Sequence, residues 1–173
     1  MNKKTTTMTS LILGVMLVMP AASAGGQSGL ADARQGTARF HDVSHAVAAG
    51  YGSTLGDLGC FQNPGVGGMG LHYLNGALLT DPSVDPAAPE ALVYEMDANG
   101  DLKLVGLEYI VLASDVPDPA NPPALFGHDF HPHPVLPLYV LHAWIWQPNP
   151  LGMFADWNPR VAMCPDGVPI FGA

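Results

Sequence analysis

Apolar and polar positions change their period several times along this chain, and each change marks an element. Leu11 to Met19 is continuously apolar apart from Gly14. From about Leu30 to Ala49 the period is helical. Ala33, Gly36, Phe40, Val43, Val47 and Tyr51 share one face, Arg34, His41, Asp42 and His45 the other, and Gly50 follows as a C-cap. Gly56 to Gly70 holds six glycines and one proline, and reads as loop before a short strand around Leu71–Leu74. Pro82, Pro86 and Pro89 make Asp81–Pro89 a connection. Ala91–Met96 and Leu102–Leu112 are β-prone runs joined by Asp97-Ala98-Asn99-Gly100, and Asn-Gly between apolar runs predicts a hairpin. Seven prolines make Val116–Pro137 a long extended loop crossing the surface or covering a mouth. Leu138–Trp146 is the last long strand, and Val161–Met163 a short final one. These elements predict an α+β fold: an N-terminal helix packed on a curved antiparallel sheet of about four strands, with long Pro-rich loops.

Composition adds the compartment. Lys3 and Lys4 precede the first apolar run, Pro20 ends it, and Ala22-Ser23-Ala24 has the small-x-small form that a signal peptidase cuts. Residues 1–24 therefore read as a signal peptide, and 25–173 as one globular domain, periplasmic or secreted, with no membrane span of its own. Loss of the two lysines takes the formal charge from −9 to −11 and leaves Arg34, Arg39, Lys103 and Arg160 as the strong cations. That balance excludes nucleic acid as a partner and makes an anionic membrane surface a poor one. The two cysteines, Cys60 and Cys164, are expected to form one disulfide tying the end of the first helical region to the C-terminal tail.

Candidate chemistry centres on polar residues set in apolar strands. His72, Glu108 and His142 are each surrounded by apolar or aromatic neighbours, and an ionised Glu108 there needs a partner. Alternation groups Glu108 with Leu104, Gly106, Ile110 and Leu112, and His142 with Val140, Trp144 and Trp146. Two imidazoles and a carboxylate on neighbouring strands are the donors of a two-His-one-carboxylate metal site. The alternative is a hydrogen-bonded network that only holds the sheet. Tyr73, Tyr109 and Trp144 are the expected ligand-binding aromatics. His128, Asp129, His131 and His133 form a second cluster suited to a divalent transition metal, though a solvated His-rich loop has the same composition.

Weaker patterns are set aside. His41 and His45 lie four apart but on the polar helix face. Asp97, Asn99, Asp101 and Glu108 match a calcium loop until Leu102 stands where glycine is required. Gly65–Gly70 has no strand-then-helix context for phosphate, and no serine has a GxSxG setting.

Gly68-Met69-Gly70-Leu71-His72-Tyr73, Pro89-Glu90-Ala91-Leu92-Val93-Tyr94-Glu95 and Glu108-Tyr109 are followed by Leu141-His142-Ala143-Trp144, Asn149-Pro150 with Gly152-Met153-Phe154, and Trp157-Asn158-Pro159. This set, spanning about Thr37 to Cys164, resembles a family of small exported bacterial proteins of uncharacterised activity. The resemblance implies one domain, export and a bacterial source, and assigns no catalytic residue. The functional expectation is a domain that binds a small ligand or a divalent metal in a His- and aromatic-lined pocket. The alternatives are a metal-dependent enzyme using the same triad, and a structural or interaction domain without chemistry.

Overall fold

The computed structural model describes residues 24–53, 60–164 and 170–172. The expected signal peptide lies outside them except for Ala24, which opens the first helix. Helix α1 spans Ala24–Thr37, a 3-10 turn covers Ala38–His41, and α2 spans Val43–Ala48. The single helix expected over Leu30–Ala49 is thus split. Asp42 is the cause: its backbone is extended (φ −89°, ψ 109°), and its carboxylate accepts from the Ser44 amide at 2.9 Å, restarting the helix. The break shifts the apolar face, so Ala46 is buried and Val47 is 53% exposed.

The strands are β1 (Tyr51–Ser53), β2 (Cys60–Asn63), β3 (Gly67–Asn75), β4 (Ala91–Met96), β5 (Leu102–Leu112), β6 (Ala124–Leu125), β7 (His128–Asp129), β8 (His131–Pro132), β9 (Leu138–Ala143) and β10 (Ile170–Gly172). A short α3 (Gly76–Leu79) follows β3. The main sheet runs β10-β2-β3-β4-β5-β9-β8, with β1 also on β3, and every pairing but β10 with β2 is antiparallel. It is an α+β fold dominated by its sheet. The β4–β5 connection is the expected tight turn, with Gly100 at φ +89° and Asp97 Oδ1 accepting from the amides of Asn99 and Asp101.

The helices cover one sheet face. Phe40 and Ala33 join Leu71, Leu92, Tyr94, Leu107, Tyr109 and Leu141 in the larger core. Tyr94 Oη donates to Phe40 O at 2.7 Å, so a helix-side carbonyl satisfies a buried hydroxyl. On the opposite face Leu74, Ala91, Ile110 and Val140 form one cluster, and Val93, Val105, Trp144 and Val161 another. Between Val93/Tyr94 and their partners Gly106/Leu104 the register shifts by one residue. This bulge turns Leu104 into the helix-side core, away from the Glu108 face where strict alternation put it.

The glycine-rich stretch is the second departure. Its described part is β2 and the start of β3 rather than loop, because a returning segment lies on the strand. The amide and carbonyl of Gly68 pair with Asn158 at 3.2 and 3.0 Å. A Cβ at Gly67 would stand 2.6 Å from the Asn158 carbonyl carbon, and one at Gly68 2.7 Å from Ala162 O. Val161–Met163, expected as a strand, is part of this irregular crossing; its backbone is held to Asn158 instead of a neighbouring strand. The last long strand stops at Ala143, where Ile145 N turns back to Ala143 O. The Pro-rich segment is less extended than expected: β6 and β7 make a small hairpin, and β8 pairs with β9. Cys60 and Cys164 are disulfide-bonded, with Cα atoms 5.8 Å apart, so the bond fastens β2 rather than a helix end to the tail. Among the described residues no helix is long and apolar enough to cross a membrane.

Candidate metal centre

Three strands supply the centre. Glu108 on β5 and His142 on β9 are direct register partners. His72 lies on β3, two strands from Glu108, a separation of about 10 Å between backbones. β4 lies between them and interposes the short side chains of Ala91 and Val93, so the longer side chains meet above it.

They do meet. His72 Nε2 is 3.5 Å from Glu108 Oε2 and 3.5 Å from His142 Nε2, and His142 Nε2 is 3.6 Å from Glu108 Oε1. All three residues are buried, and among the described residues they form the one group of three donors close enough to share an ion. Nδ1 of His72 and of His142 is buried without a well-formed hydrogen bond.

Burial sets the protonation. It holds the His72 imidazole down at about 3, helped by the repulsion of a charge on His142. The ring is therefore neutral, as a ligand must be. Burial pushes the Glu108 carboxyl upward, with the His142 interaction pulling the other way. A carboxylate anion so deeply buried beside the neutral His72 ring calls for a compensating cation.

Spacing indicates what the group can hold. Ligands around a tetrahedral ion with bonds of about 2.1 Å lie about 3.4 Å apart. The His72 and His142 Nε2 atoms are close to that spacing, each faces its own Glu108 oxygen at a similar distance, and all three contacts are long for direct hydrogen bonds.

Asp156 and His131 stand beside the centre. Asp156 Oδ1 is 2.9 Å from His131 Nε2 and 3.4 Å from His142 Nδ1. Burial works to raise the Asp156 carboxyl, but its histidine contacts outweigh this and hold it well below the usual range. The hydrogen bond that His131 donates to Asp156 correspondingly raises His131. The carboxylate thus sits on the outer edge of the His142 ring, where such groups fix the orientation of ligating histidines.

The loop histidines do not converge. His128 packs on Phe154 at 4.1 Å between ring centroids, and His131 is committed to Asp156. His133 Nδ1 accepts from the Val135 and Leu136 amides at 3.2 and 3.0 Å. Burial lowers this imidazole's proton affinity, so its ring is neutral with the proton on Nε2, a donor rather than a metal ligand. Tyr73 and Tyr109 are also placed elsewhere. They follow His72 and Glu108 by one residue and so face the helices, where Tyr73 packs on Tyr94 and Tyr109 Oη donates to Pro86 O at 2.7 Å. Trp144 stays near the centre, stacked on His142 with centroids 5.9 Å apart and Nε1 donating to Ala155 O. Trp146 leaves with the end of the strand and contacts His41 and Thr37 on the helix side.

Two cavities flank the three donors. One of about 20 Å³ is bordered by His72 and Glu108, and one of about 190 Å³ by His142, Asp156 and His131; Phe61, Met69 and His133 line both. The smaller has room for about one water. The sequence reading missed Asp156, Phe61 and Met69 as site residues. A signal for Asp156 existed in Phe154-Ala155-Asp156-Trp157, a lone carboxylate among aromatics like Glu108. Phe61 and Met69 were hidden by the glycine-rich stretch read as loop. Comparison with protein-family models, with curated proteins and with solved structures finds no match to this chain.

Proposed function

We propose that this is an exported metal-binding protein that holds one divalent transition ion through Nε2 of His72, Nε2 of His142 and the Glu108 carboxylate. The observation that carries this is the buried convergence of the three side chains, with the two Nε2 atoms 3.5 Å apart and each facing one Glu108 oxygen at 3.5 and 3.6 Å, all within reach of one ion. A purely structural network is the weaker reading, because at 3.5–3.6 Å it gains no short hydrogen bond among three buried polar groups. The basic head and small-x-small end of residues 1–24, together with the Cys60–Cys164 bond, support export from the cytoplasm. The residues quoted above support kinship with the small exported bacterial proteins that the chain resembles.

A metal-dependent enzyme is the second reading, and the flanking cavities favour it. A resident divalent ion would supply Lewis acidity or an activated water there. Asp156 and His131 would hold or move a proton at the pocket's polar end.

Metal analysis tests the proposal. The full chain, purified without a polyhistidine tag and equilibrated with Zn(II), is expected to retain one equivalent after desalting. His142→Ala and Glu108→Gln, checked for folding by circular dichroism, should each retain roughly a tenth or less at the same concentration, given the cost of losing one of three protein ligands. Retention that is substoichiometric and equal in wild type and His142→Ala overturns the site.

A further inference from the structure

The larger cavity has a composition that defines a ligand. We propose that it binds a small molecule with one apolar ring or short branched chain, whose single, singly charged oxygen-donor group completes the coordination of the ion. This rests on the metal-binding reading above.

Continuity is the first argument. His142 borders the larger cavity, His72 and Glu108 the smaller, and Phe61, Met69 and His133 belong to both. An ion among the three donors would therefore lie where the two spaces adjoin. Segregation is the second. Phe61, Met69, Val135, Val140 and Trp157 give the larger cavity an apolar body, whereas His131, His142 and Asp156 give it a polar end. An amphiphilic wall recognises an amphiphilic molecule.

Size is the third argument. About 190 Å³ lies below the roughly 300–1,000 Å³ of sites for drug-sized ligands. The space suits one ring with one short arm. Charge is the fourth. Asp156 is already paired with His131 at 2.9 Å, so Glu108 alone offsets one charge of a divalent ion; a singly charged donor would offset the other, which neither a dianion nor an organic cation would do. The wall is also held in place: the His133 ring pins the backbone of Val135 and Leu136. The ligand would meet a formed pocket and lose little affinity to ordering it.

Two hydroxamates separate body from head, because both chelate through the same oxygens. Calorimetric titration of the Zn(II)-loaded full chain should show benzohydroxamate binding about tenfold or more tighter than acetohydroxamate, the gain expected from burying a ring. Metal-free protein should bind neither measurably. Val135 is 65% exposed, so Val135→Asp should fold. It should keep one equivalent of zinc and lose most of the preference for the ring, and Val135→Ser should give a smaller loss in the same direction. Equal affinities for the two hydroxamates, or no binding of either by protein carrying one zinc, overturn this inference and leave the metal site standing. A chain that takes up no zinc overturns both.

Discussion

Glu90 lies one residue before β4 with its carboxylate buried, accepting the Ile110 amide at 2.9 Å. Burial pushes this carboxyl up to about 7, against the pull of that hydrogen bond. A carboxyl raised on folding binds a proton that the unfolded chain releases near the ordinary value of 4.5. Its contribution is therefore complete below 4.5 and is lost as the pH rises through 7. His72 acts in the opposite direction: its imidazole is held at about 3 in the fold, so stability is lost as the pH falls below 6.5. Comparing wild type with Glu90→Gln isolates the first effect. In urea denaturation of metal-free protein, the variant should gain on wild type by on the order of 1–3 kcal/mol between pH 5 and pH 8. A difference that stays constant over that range would show that Glu90 is charged throughout. At this scale the sequence was informative about identity: a polar residue within an apolar strand marked His72, Glu108 and His142. It was silent about Glu90, which stands at a loop end among prolines where a carboxylate is ordinary.

Two glycines with opposite surroundings test the account of the elements. Gly68 lies under the crossing segment, and any Cβ there meets Ala162 O at 2.7 Å. Gly76 opens α3 with nothing within 4 Å of its Cβ position. Gly68→Ala should cost about 2 kcal/mol or more, the range for overpacking against backbone, whereas Gly76→Ala should be neutral or stabilising by up to about 1 kcal/mol. Thermal melts of the two variants decide it, and equal behaviour would mean that the returning segment does not press on β3. Elements with a local cause were readable from sequence: the Asn99-Gly100 turn, β4, β5 and most of β9. Those shaped by distant contacts were not. The start of β3 is a strand because Asn158–Ala162 needs its bare backbone, and Leu104 changes face because of a one-residue bulge. The helix break at Asp42 was a local signal, a capping residue inside an apolar period, that the period itself obscured.

For the whole molecule, the joining of Cys60 to Cys164 was expected from there being two cysteines in a chain whose first residues read as an export signal, whereas the meeting of His72 with Glu108 required the strand order. A link across 104 residues removes about 4–5 kcal/mol of chain entropy from the unfolded state. Thiol titration of the denatured protein should find no free cysteine, and a Cys60→Ser/Cys164→Ser double variant should lose about 2–5 kcal/mol in urea denaturation. Two reactive thiols in protein isolated from an oxidising compartment would contradict the bond. The same link has a topological consequence. It closes a covalent ring that contains His72, Glu108, His142 and Asp156. Residues 117–121 are exposed, and a protease cut there opens the ring without releasing either half. His72 and Glu108 would then belong to one polypeptide and His142 and Asp156 to another, still tethered through sulfur. Assembly of the centre would no longer depend on an unbroken backbone, and its partners could not diffuse apart.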